Sequence, residues 1–129
     1  LDKLLSESDI VSLHLAVTPD TINTVDDNFL SKMKNDAFLI NTSRGDLVDN
    51  NALKNALLKG EIAGAGLDVF TPEPLEKDNP LLDIKLKDKL ILTPHIAGIT
   101  HLTVERIYKN ILENTQNIIH GRKLKNKVN

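Results

Sequence analysis

Apolar positions in this chain fall into short unbroken runs separated by longer stretches in which they recur at helical spacing. The runs are Ile10-Val11-Ser12-Leu13-His14-Leu15, Ala37-Phe38-Leu39-Ile40, Ile62-Ala63-Gly64-Ala65-Gly66-Leu67-Asp68-Val69 and Leu90-Ile91-Leu92-Thr93. Each is too short for a helix and free of proline, so each reads as a mostly buried strand. Helical patterns lie between and around them. Leu1, Leu4 and Leu5 share one face; Phe29, Leu30 and Met33 follow Asp26 and Asp27, either of which can cap a helix. Ala52, Leu53, Ala56 and Leu57 follow Asp49 and stop at Lys59-Gly60, a cation in the last turn with glycine just beyond. A long final pattern from about His101 to His120 sets Ile107, Ile111, Leu112, Thr115, Ile118 and Ile119 on one face, and Gly121 ends it. The strands begin at near-equal intervals, as repeated βαβ units do. The expected fold is α/β: a parallel sheet flanked by helices, with every strand's carboxyl end on one rim.

Composition narrows the classes of function. With 129 residues, 40% of them hydrophobic, the chain has material for one core. A net charge of −2 from well-mixed signs, with three Phe and one Tyr, leaves little for a nucleic-acid groove to use. No cysteine is present, which removes disulfides and thiolate metal sites and fits a reducing compartment. No apolar run reaches membrane-spanning length and the start does not resemble a signal peptide. The expectation is a cytoplasmic protein whose partner is a small molecule rather than nucleic acid or membrane.

Candidate chemistry gathers where the strands end. Arg44 follows the second strand, Glu73 the third and His95 the fourth. Ligands of open α/β sheets bind at that rim. A guanidinium there suits a planar carboxylate, and its plainer use is a surface ion pair. Histidine gives and takes protons near neutrality, and a glutamate on its other nitrogen fixes the tautomer and favours the imidazolium. Together the three match what reduction of a 2-oxo acid needs: an anchor, a proton donor and a hydride source opposite. Other titratable residues read more plainly. His14 is expected to be a satisfied core residue, although it is also placed to flank a cofactor. His101 and Glu105 have ligand spacing but no third ligand, so no metal site is expected. His120 suits a helix C-terminus, and the tail with Arg122, Lys123, Lys125 and Lys127 suits a solvated end.

Three linked blocks make the pattern specific: Asn41-Thr42-Ser43-Arg44-Gly45 with Leu47-Val48-Asp49, Gly64-Ala65-Gly66-Leu67-Asp68-Val69-Phe70 through Glu73-Pro74, and Leu92-Thr93-Pro94-His95-Ile96-Ala97-Gly98. In order and spacing they resemble the signature blocks of the D-isomer-specific 2-hydroxyacid dehydrogenases, including the phosphoglycerate and glycerate dehydrogenases, from near Leu1 to Asn129. That resemblance implies a Rossmann-type domain and a nicotinamide-dependent oxidoreductase acting on the CH-OH group of a D-2-hydroxy acid, with NAD as cofactor and NADP as the alternative. It implies that Arg44 binds the substrate carboxylate, that His95 is the acid/base and that Glu73 is its partner. It also implies that Leu15, Ala16, Thr42, Ser43, Arg44, Asp68, His95, Ala97 and Gly98 line the cofactor, and that the active form is a homodimer. Ala16 stands where many members carry proline, which puts the local loop shape in question. Glu73, where formate dehydrogenases have glutamine, argues against that branch.

The same resemblance implies that this chain is the carboxyl half of the NAD-binding domain, residues 1–100, followed by a helix and tail, 101–129, that return to a substrate domain. No G-x-G-x-x-G occurs, and Leu1 falls inside a helical pattern, so a longer protein is expected, with the fragment binding dinucleotide poorly. The Ile10 strand would then have a bare edge, and the isolated chain is expected either to self-associate through it or to come with a missing partner segment. Two other readings stand beside the enzyme: an NAD-sensing corepressor-like interaction module of the same family, and an unrelated doubly wound domain in which Arg44, Glu73 and His95 are dispersed.

Overall fold

The computed structural model describes residues 1–127, so positions 128 and 129 of the tail lie outside the described residues. The elements run α1 (Asp2–Glu7), β1 (Ile10–Leu13), α2 (Asp27–Ser31), β2 (Phe38–Asn41), α3 (Asn50–Lys59), β3 (Gly64–Leu67), β4 (Leu90–Leu92) and α4 (His101–Ile119). Short 3-10 turns cover Gly45–Leu47, Pro80–Leu82 and Ile84–Leu86. The chain divides into two compact units, Leu1–His95 and Ile96–Asn129.

All four strands of the first unit are parallel and stand in chain order, β1-β2-β3-β4, with Ile10 opposite Phe38, Phe38 opposite Gly64 and Ala65 opposite Leu90. Every carboxyl end therefore meets the same rim. Helix ends follow the local chemistry of the sequence. Asp26 caps α2 by accepting from the Phe29 N–H at 2.8 Å. Asp49 caps α3 by accepting from Asn51 and Ala52 at 2.8 and 3.1 Å, and Gly60 ends it in the left-handed region at φ 75°. The apolar stripe of α3, Ala52, Leu53, Ala56 and Leu57, is buried in one cluster with Val11, Leu13, Leu39, Ala65 and Leu67 of the sheet.

One sheet face is thus the floor of the core. On the opposite face Ile10, Phe38 and Ile91 are 64%, 48% and 71% exposed, and no element of the Leu1–His95 unit covers them. This corrects the expected burial of the first strand, which ends at Leu13 and alternates out and in. His14 is corrected with it. It is exposed, its Nε2 3.0 Å from the Ser12 hydroxyl, because within the Leu1–His95 unit the sheet there has a packed layer on one side only.

In the second unit Thr100 caps α4 through the Thr103 N–H at 3.1 Å, and His120 Nδ1 donates to the Gln116 carbonyl at 2.7 Å. The tail is less free than expected. Lys125 is bonded at its backbone by Asn114 and at its ammonium by Glu113, at 2.6 Å, so the chain after Gly121 folds back along its own helix. No helix among the described residues is long and apolar enough to cross a membrane.

Candidate active site at the strand ends

Glu73 and His95 are brought together from loops after β3 and β4. The Glu73 carboxylate is held at both oxygens: Oε1 accepts from the Phe70 N–H at 2.8 Å and Oε2 lies 2.9 Å from His95 Nδ1. A carboxylate only accepts, so Nδ1 carries the proton and Nε2 is left for chemistry. The His95 bond, and after it the Phe70 N–H, hold the Glu73 carboxyl below its ordinary range. Both side chains reach solvent. Beside them opens a cavity of about 660 Å³ with apolar walls of Phe70, Leu75, Leu82 and Leu92 and polar groups from Glu73, Thr93 and His95.

Arg44 stands on the neighbouring loop, after β2. Its side chain is exposed, Nη1 donates to the Ser43 carbonyl at 2.7 Å, and no ion pair joins it to a carboxylate among the described residues. The alternative use of Arg44 in a surface ion pair therefore has no partner among the described residues. The loop is close to the dyad because of Gly45, where a Cβ would run into the backbone of Phe70. Phe70 in turn supplies the N–H on Glu73. Continuous contact thus runs from the arginine's loop to the glutamate and on to the imidazole. Glu73 and His95 are in direct contact, and the loop that bears Arg44 packs beside them.

The remaining candidates divide between the two units. Asp68 is buried, directly after β3, and its Oδ1 accepts from the Thr93 hydroxyl at 2.5 Å. Ser43 donates through its hydroxyl to the Leu15 carbonyl at 2.7 Å, which ties the loop after β2 to the one after β1. Ala16, next along, accepts from the Thr21 hydroxyl at 2.8 Å, and Thr42 is exposed. Ala97 and Gly98 belong to the second unit, in the turn closed by the Ile99 N–H on the Ile96 carbonyl at 2.9 Å. His101 Nδ1 and Glu105 Oε1 are 3.8 Å apart, and no group of three metal-ligating side chains occurs among the described residues.

Two residues at the rim carry more than sequence reasoning assigned them. Thr93 bonds the Leu67 carbonyl through its N–H, Asp68 through its hydroxyl and the His95 N–H through its carbonyl, so one residue connects the acid after β3 to the histidine after β4. Asn41 is 1% exposed and spends its side chain on the Arg44 loop. A polar residue closing an apolar strand was the available signal.

Comparison with known proteins identifies the family. The family model described as the NAD binding domain of D-isomer specific 2-hydroxyacid dehydrogenases matches residues 1–97. A glyoxylate reductase of Korarchaeum cryptofilum is 47% identical over 114 residues, 88% of this chain and 33% of that protein. The glyoxylate/hydroxypyruvate reductase B of Cronobacter sakazakii is 43% identical over 129 residues, 100% of this chain and 39% of the relative. Among solved structures, the NAD-complexed D-isomer specific 2-hydroxyacid dehydrogenase of Lactobacillus delbrueckii ssp. bulgaricus superposes with a TM-score of 0.85 at 35% identity, over 100% of this chain and 42% of that one. The chain therefore spans well under half the length of these relatives, and none of them is named as a corepressor. By its strand-end residues, its parallel sheet and its matched segment, this chain belongs to the NAD-binding domain family of the D-isomer specific 2-hydroxyacid dehydrogenases.

Proposed function

We propose that this chain is the part of an NAD-dependent D-2-hydroxyacid dehydrogenase that bears the acid/base pair and the substrate-carboxylate anchor. The observation that carries the reading is the 2.9 Å contact of His95 Nδ1 with a Glu73 carboxylate that is itself fixed by the Phe70 N–H. With Nδ1 committed to Glu73, the imidazolium form of His95 gives its Nε2 proton to the carbonyl oxygen of a 2-oxo acid, leaving the neutral ring with its proton on Nδ1, and Nε2 takes a proton back in the reverse direction. Arg44, in no ion pair with a carboxylate among the described residues, holds the substrate carboxylate. The donor set at the rim fits the nicotinamide end of a dinucleotide. Asp68, steadied by Thr93, would meet the carboxamide, and Leu15, Ala16, Thr42 and Ser43 would line the ring. The bound cofactor supplies the hydride. The glycine-rich turn for its pyrophosphate is not among these 129 residues.

Glyoxylate and hydroxypyruvate are the first substrates to try, with NADH and then NADPH, and the same reading has the active protein as a cytoplasmic homodimer. In the full-length protein, oxidation of reduced cofactor should depend on the 2-oxo acid, and His95→Ala should lower kcat by roughly 10²–10⁴-fold. Absence of turnover with every 2-oxo acid and both cofactors overturns the proposal. So does a His95→Ala protein of undiminished rate.

A further inference from the structure

Two polar side chains are buried among the described residues, Asn41 and Asp68, and the chemistry proposed above uses only Asp68. Asn41 closes β2 at a position that alternation turns into the core, where an amide without partners is costly. Both of its functional groups are engaged, and both with the loop that follows. Nδ2 donates to the Arg44 carbonyl at 2.8 Å, and Oδ1 accepts from the Ser43 N–H at 3.0 Å. Only one orientation of the amide satisfies a donor and an acceptor so placed. Its backbone carbonyl meanwhile accepts from the Asp68 N–H at 2.9 Å, so Asn41 itself is held by the sheet.

The arginine has no such hold. Its guanidinium bonds the Ser43 carbonyl, within the same loop, and among the described residues reaches no other partner that would fix it from outside. Where the guanidinium stands is thus decided by where the backbone at Ser43 and Arg44 stands, and that backbone is held from beneath by the buried Asn41 amide, with the Ser43 hydroxyl on the Leu15 carbonyl as a second tie. We infer that Asn41 is a positioning residue for the substrate-carboxylate anchor, acting through the backbone of the Arg44 loop without touching substrate. The inference rests on the proposed role of Arg44.

The test compares, in the full-length protein, kcat/KM for a 2-oxo acid and for its methyl ester, which lacks the charge that Arg44 would hold. Arg44→Met should abolish the preference for the acid. If the preference survives, the anchor reading itself fails. Asn41→Leu, similar in size and apolar, should lower kcat/KM for the acid by on the order of a hundredfold, the scale expected when a substrate-positioning group is displaced, and leave the ester nearly unchanged. In the Arg44→Met background it should do nothing further. Equal loss on acid and ester, full additivity with Arg44→Met, or an unchanged preference each overturns the inference while the anchor reading stands. Should Asn41→Leu not fold, Asn41→Asp decides the matter. It keeps the acceptor for Ser43 and loses the donor for the Arg44 carbonyl, so an undiminished acid preference in that variant overturns the inference as well.

Discussion

A carboxylate with one oxygen on a backbone N–H and the other on an imidazole has little freedom left, and Glu73 is in that state. Its carboxyl is held below the ordinary range first by His95 and then by Phe70. A group whose folded-state value is depressed contributes stability that is complete above the unfolded carboxylate value and is lost as pH falls through the folded one. Glu73→Gln should therefore melt below the wild type at neutral pH, and the two melting temperatures should converge as the solution is acidified through the carboxylate range. Thermal denaturation across that range reads it directly, and a constant gap down to strongly acid pH would contradict the ion pair as its cause. Activity is expected to fall in the same variant, since the amide no longer accepts at both oxygen positions and His95 loses its fixed tautomer.

Among the elements, α3 is the one whose whole specification lies in local sequence. Asp49 accepts from two N–H groups of the first turn, Gly60 takes the left-handed conformation after the last, and the buried residues fall on one stripe. Asp49→Ala should cost about 1 kcal/mol of unfolding free energy by chemical denaturation, the usual loss for an acidic N-cap. The strands were legible for a similar reason: four apolar runs at even spacing leave little choice but βαβ units. The limits of β1 and the exposure of His14 were not, since burial depends on whether a second layer covers the sheet, and a pattern along the chain cannot report that. The rim shows the same division. Arg44, Glu73 and His95 were readable as residues following strands, and the parallel order delivered them to one edge. The contribution of Asn41 was hidden, because it lies in two hydrogen bonds to the next loop rather than in any spacing. Lys125, read as part of a loose tail, is fixed by Asn114 and Glu113 through a return of the chain that composition does not announce.

For the molecule as a whole the sheet face bearing Ile10, Phe38 and Ile91 is the main unfinished business of the Leu1–His95 unit. Parallel sheets are normally covered on both sides, and β1 also presents an unpaired edge. The 129-residue chain prepared alone should therefore sediment as a species larger than a monomer, and Phe38→Ser combined with Ile91→Ser should shift it toward the monomer. A monodisperse monomer from the unsubstituted chain would count against this. The strand order has another consequence. Because β1, β2, β3 and β4 lie side by side in the sequence in which they are synthesised, each ladder closes with the strand just made, and no partner must be awaited from farther along the polypeptide. The segment from Phe38 to His95, which bears the arginine, the glutamate and the histidine, is for that reason a single unbroken stretch of chain whose successive strands bring all three to the same rim.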